Sequence, residues 1–240
     1  MKQTSVEMKL IGRFALYVRG IEVDVPRQSQ RLLAHLAVCG GCIDRERLAA
    51  ALWPEAPTAR SQANVRTAVW RTRSIERSLL SNQHQSRVVL ASDIVVDLFR
   101  IEELGRRLFA GDTRAVAEVQ TFNLPAELLD GWYEDWVLIE RARLSQIHAR
   151  MLEELVRQLT CRGELHRALD IAMRLAVQEP LRESVRRALL LILCVEGNHG
   201  EAVEHLREFN EYLLREVGGE SSIDLAALRA EALALQVRQG

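Results

Sequence analysis

The sequence predicts an α+β winged helix-turn-helix domain with an N-terminal antiparallel sheet at residues 1–97, then an all-α domain of helical repeats at residues 98–240. Three observations predict it. Strand-like patterns fall before Asp97, and helical periodicity follows it. The formal charge divides at the same place: residues 1–97 carry a net +5 and the rest a net −6, against −1 for the whole chain. A short pattern in the back half also returns after 34 residues. At 240 residues the chain is long enough for two hydrophobic cores.

Met8–Val25, MKLIGRFALYVRGIEVDV, is rich in β-branched and aromatic residues and punctuated by Gly12 and Gly20. It reads as two or three short antiparallel strands. Arg19-Gly20 suits a hairpin turn between Phe14–Val18 and Glu22–Val25. Pro26 ends the sheet and opens a helix over Arg27–Val38, whose Leu32, Leu33, Leu36 and Ala37 face a core; Gly40-Gly41 stops it. Ile43 is a short extended link. Asp44 caps a second helix, Arg45–Leu52, which Trp53-Pro54 ends. Beyond a third helix, Ser81–Ser86 is polar, and Arg87–Leu90 and Ile94–Leu98 read as a β-hairpin around Ser92-Asp93.

The third helix, Ser61–Leu80, organises the front half. It contains no Gly or Pro. On a wheel of about 100° per residue, Val65, Ala68, Val69, Thr72 and Leu79 gather on one side, while Arg66, Trp70, Arg73 and Arg77 form a stripe on another. From Arg60 to Arg87 there are six arginines and one acid, Glu76. An apolar back with an arginine-and-aromatic front suits the major groove of DNA, because guanidinium offers a planar fork of donors to guanine edges and to phosphates. The competing reading is a solvated basic face on an ordinary core helix.

In the back half, Phe99–Ala110 is amphipathic and stops at Gly111. Thr113–Thr121 is a shorter helix and Asn123–Asp130 is irregular. A long helix covers about Tyr133–Thr160, with core positions Leu144, Ile147, Met151, Leu155 and Leu159. Gly163-Glu164-Leu165-His166-Arg167-Ala168-Leu169 then returns as Gly197-Asn198-His199-Gly200-Glu201-Ala202-Val203. The same offset pairs Leu155 with Leu189, Leu159 with Leu193, Ala172 with Leu206 and Leu175 with Phe209. A helix, a Gly-containing turn and a small Ala at this period form the tetratricopeptide pattern. Leu225–Leu235 would cap the open end of the array.

Other functions find little support. MKQTSVEMKLIGRF lacks the apolar segment of a secretory signal. The longest apolar run, around Ala188–Val195, is too short for a bilayer, so a cytoplasmic protein with no membrane partner is expected. The four cysteines, Cys39, Cys42, Cys161 and Cys194, fit a reducing compartment. His35, Cys39 and Cys42 have metal-like spacing but no second ligand pair nearby, so neither metal nor cofactor is expected. Glu134, Asp135, Glu140 and His148 could be imagined as an acid/base set, yet Trp132, Trp136, Leu144 and Ile147 among them argue for packing. Trp132, Tyr133 and Trp136 read as core. No phosphate loop, nucleophile elbow or metalloprotease helix is present, and no enzyme is expected.

Three stretches carry a resemblance. Leu48–Pro54 (LAAALWP) and Ala63–Arg73 (ANVRTAVWRTR) look like the second and third helices of OmpR-type winged-helix DNA-binding domains. Leu128–Leu144, LLDGWYEDWVLIERARL, is similar to the signature of the bacterial transcriptional activator domain of SARP-type regulators. The resemblance covers nearly the whole chain and implies a sequence-specific regulator of transcription, usually an activator that contacts RNA polymerase at promoters with repeated sites. It leaves room for a σ-factor contact and a homodimer. It implies that Arg66, Thr67, Trp70, Arg71 and Arg73 face double-stranded promoter DNA while Val65 and Val69 face the core. Arg60 and Arg77 at the helix ends and Arg87 on the wing complete the expected DNA-binding set. The sequence departs from the family at Thr72, where Leu is usual, and over Ser81–Leu90, which lacks a Gly-rich wing tip. A competing class is a tetratricopeptide-type adaptor whose front domain does not bind DNA.

Overall fold

The computed structural model describes residues 6–81, 86–121 and 127–239. The chain divides into two compact units. The first comprises Met1–Leu104 with Leu124–Leu144, and the second Gly105–Asn123 with Ser145–Gly240.

In the first unit, β1 (Val6–Lys9) pairs antiparallel with β2 (Ala15–Val18), and β2 with β3 (Ile21–Val23). Arg19 and Gly20 join the last two as a two-residue turn with positive φ at both positions, 55° and 80°, which matches the twist of the flanking strands. The helices α1 (Arg27–Val38) and α2 (Arg45–Leu52) lie where the sequence places them. Asp44 occupies the N-cap of α2 without making a capping bond; its carboxylate accepts from Arg87 Nε at 3.2 Å instead.

The expected hairpin of the two late strands does not form. β5 (Arg87–Val89) pairs with β4 (Cys42–Asp44), and β6 (Ile94–Val96) pairs in parallel with β1. Packing explains the separation. Val6 lies opposite Ile94 and Met8 opposite Val96, and all four are buried, so β6 extends the buried face of the main sheet. Val88 and Leu90 reach the core from the β4–β5 ribbon. Residues 82–85 of the expected polar stretch and wing tip lie outside the described residues.

The third helix also differs from its expected span. α3 is Thr58–Ile75, followed by a 3₁₀ turn at Arg77–Leu79. Pro57, with its preset φ, opens it, and its carbonyl accepts from the N–H groups of Arg60 and Ser61 at 2.8 and 3.0 Å. Glu76 closes it. Its backbone is extended, and its carboxylate accepts from the Ser78 N–H at 3.0 Å and the Ser78 hydroxyl at 2.9 Å. These bonds hold the Glu76 carboxyl below the usual carboxylate range. The turn they start buries Leu79 and Leu80.

Ser61, Val65, Ala68, Val69 and Thr72 form the buried back of α3. The Thr72 hydroxyl finds no hydrogen-bond partner among the described residues. A buried orphan hydroxyl carries a desolvation cost that an isosteric methyl does not. We expect Thr72→Val to raise stability by about 1 kcal/mol in urea unfolding; a loss of stability would show that the hydroxyl is satisfied.

Residues 127–144 complete the core of the first unit. Leu129 N–H donates to the Leu10 carbonyl and Asp130 N–H to the Gly12 carbonyl, while Gly12 N–H donates to the Glu127 carbonyl, each at 2.7 Å. Arg141 donates to the carbonyls of Leu128 and Leu129, also at 2.7 Å. Leu128, Leu129, Trp132 and Val137 join the cluster built by the sheet and α1–α3. Tyr133 does not belong to this core: it is 77% exposed. The turn at Leu129–Gly131 directs Trp132 inward and leaves its neighbour in solvent.

The repeat is evident in the second unit. Here lie α5 (Thr113–Thr121), α7 (Leu165–Gln178), α8 (Glu183–Val195), α9 (His199–Val217) and α10 (Leu225–Gln239). α4 (Asp97–Phe109) and α6 (Asp135–Cys161) each contribute residues to both units. Gly163 and Gly197 both have positive φ, 75° and 82°. Glu164 N–H donates to the Leu159 carbonyl at 3.0 Å, and Asn198 N–H to the Leu193 carbonyl at 2.8 Å. The same helix-ending turn thus recurs 34 residues on. Ala168 and Ala202 are fully buried at equivalent places, as are Leu155 with Leu189 and Leu175 with Phe209. α10 packs on α8 through Leu228 and Ala232 and extends past its expected end at Leu235.

Candidate nucleic-acid interface

The exposed face of α3 begins with Arg60, Arg66, Thr67, Trp70 and Arg71, all of them exposed. The side chains of Arg60 and Arg66 make no hydrogen bond or ion pair among the described residues. The Thr67 hydroxyl donates to the Ala63 carbonyl at 3.0 Å, one turn back. Arg71 reaches Gln28 on α1 at 3.5 Å. The buried back described above fixes the rotation of the helix, so this face is presented by the packing of the core.

Three expected residues are placed differently. Arg73 is half-buried, and its Nη2 donates to the Ser81 carbonyl at 3.1 Å, tying α3 to the chain that follows the 3₁₀ turn. Arg77 lies on that turn, so it leaves the helical stripe at Glu76, though it stays exposed. Arg87 is held across the β4–β5 ribbon by Asp44, whose carboxylate pushes the guanidinium pKa up.

The structure adds residues that the sequence reading did not include. A cleft of about 860 Å³ is lined by Asp44, Arg45, Glu46, Gln62, Val65, Arg66, Val69, Trp70, Arg73 and Ser86. Gln62 precedes Arg66 by one helical turn, so extending the Arg66–Trp70 stripe backwards would have found it. Arg45 could not have been found so, because the fold alone brings the start of α2 beside α3. The cleft therefore combines guanidinium and amide donors with apolar side chains, groups of the kind that recognise base edges and phosphates, beside two carboxylates, of which Asp44 is paired with Arg87.

The residues weighed for other chemistry are engaged elsewhere. Glu134 pairs with Arg27 at 3.3 Å and Arg31 at 3.1 Å. Glu140 accepts from Arg143 at 2.8 Å. His148 is half-buried, and burial pushes its pKa down. Cys39 Sγ lies 3.8 Å from His35 Nε2, while Cys42 is on β4. Among the described residues no helix is long and apolar enough to cross a membrane.

A three-helix core flanked by a β-ribbon, with paired helices of tetratricopeptide type in a second unit, defines the winged-helix and helical-repeat class of regulators. The bacterial transcriptional activator domain matches residues 96–233, and the chain belongs to that family. It is a transcriptional regulator of SARP type and not an enzyme. Among solved structures it is similar to Mycobacterium tuberculosis EmbR in complex with a low affinity phosphopeptide, with a TM-score of 0.80 and 17% identity over 99% of this chain and 69% of that one. At that identity the likeness shows the fold alone. No curated protein matches the sequence.

Proposed function

We propose that this regulator binds promoter DNA through α3, with Arg60, Arg66, Thr67, Trp70 and Arg71 toward the major groove. Arg73 positions the helix, Arg77 and Arg87 lie at the margins, and the second unit contacts RNA polymerase, its σ factor or a second copy of the chain. One observation carries the reading: an exposed arginine face on a helix whose opposite side is fixed in the core. Phosphate contacts would supply most of the affinity, and base edges the specificity. On the domain scale, the family match begins at residue 96, whereas residues 127–144 pack with the front half. The DNA-binding body is therefore proposed to include that segment.

The test is in vitro selection of a binding duplex with the full chain, then titration of variants. Arg66→Ala and Arg71→Ala should each weaken binding by about tenfold or more while leaving the thermal melt unchanged. On a promoter carrying the selected site, the wild type should raise transcription at saturating occupancy. Unaltered affinity in both variants would remove α3 from the interface. Binding without activation would remove the polymerase contact.

A further inference from the structure

We propose that Trp70 reads the methyl group of a thymine, a role that rests on the DNA-binding reading of α3. The indole is 69% exposed, midway along an otherwise polar helix face. It makes no aromatic stacking or cation contact among the described residues. It is a ridge between two clefts. On one side lie Gln62, Val65, Arg66 and Val69, and on the other Ser74, Ile75, Glu76 and Arg77, with Arg73 bordering both.

The chemistry of the groove limits what such a ridge can meet. The major-groove edges of the bases present nitrogen and oxygen acceptors, amino donors and a single apolar group, the C5-methyl of thymine. A large apolar ring entering the groove beside Arg66 and Gln62 gains by desolvation only against that methyl. The two neighbours supply what the indole lacks: a guanidinium fork for guanine and an amide for adenine. Val65 and Val69 line the same cleft as the ring. Glu76 on the far side accepts from the Ser78 N–H and hydroxyl through Oε1. The backbone carbonyl of Trp70 is fixed in the helix and also accepts from the Ser74 hydroxyl at 3.0 Å, which leaves the ring as the variable element.

The experiment uses the full chain and the duplex enriched from a random library. Each thymine is replaced singly by deoxyuridine, which deletes the methyl and keeps the Watson–Crick face. For the wild type, at least one replacement should weaken binding by about fourfold, the effect of burying one methyl group. For Trp70→Ala, that position should bind thymine and uracil equally. Its melt should match the wild type, since the ring is exposed. Uniform wild-type affinity across all replacements would overturn the inference, as would a thymine preference that survives in Trp70→Ala. Either result leaves sequence-specific binding itself standing. A chain that enriches no sequence removes the DNA-binding reading and this inference with it.

Discussion

Trp132→Ala is expected to lower the stability of the first unit by about 3–5 kcal/mol, the cost of deleting a large aromatic from a packed core. Trp132 is 4% exposed. It packs near Phe14 and Trp136, with ring centroids at 6.3 and 6.2 Å. The Arg27 guanidinium lies 3.5 Å from its ring centroid, and Glu134 holds Arg27 and Arg31 beside it. The substitution would leave a cavity, remove the cation's aromatic partner and loosen a segment whose backbone is bonded to Leu10 and Gly12. The same argument predicts that residues 1–100 alone, which lack this segment, fold poorly. Urea unfolding of the variant and a melt of the fragment check both. A loss below about 1 kcal/mol, typical of a surface change, would mean that the segment merely rests on a core already complete.

That dependence was hidden in the sequence. Composition and charge both change near Asp97, and the pattern beyond it is helical, so the expected boundary falls there. The link is made by long-range backbone bonds and by the buried side chains of Leu128, Leu129, Trp132 and Val137. Asp97 itself bonds back across the unit, accepting from the N–H groups of Leu10 and Ile11 at 2.9 Å. Local signals suffice where one rule governs. Pro26 and Gly40 bracket α1, Arg19-Gly20 makes the predicted turn, and the 34-residue repeat reappears as equivalent hydrogen bonds.

Sequence pattern and structure part where two demands compete. Leu79 fits the helical wheel, but Glu76 bonds to Ser78 and ends α3 early, which moves Arg77 off the stripe. Asp44 has the type and position of a cap, yet its carboxylate is taken by Arg87 across the ribbon. The late strands are adjacent in sequence but pair with different partners, because each reaches a different open edge. On α3, helical periodicity places Arg66 and Trp70 on the exposed side, and only the fold shows that Arg73 is turned to Ser81.

Salt dependence of binding to the selected duplex tests the central claim most directly. If α3 lies in the major groove, the flanking arginines neutralise phosphates and release condensed counterions. Each phosphate contact contributes about −0.9 to the slope of log affinity against log salt. With about four such contacts, raising salt from about 50 to about 200 mM should weaken binding by about a hundredfold. A scrambled duplex should bind more weakly throughout, and Arg66→Ala should flatten the slope or relax sequence preference according to whether Arg66 meets phosphate or base. Affinity that stays constant over this range, with no difference between selected and scrambled duplexes, would contradict the account and favour an adaptor whose front unit meets protein.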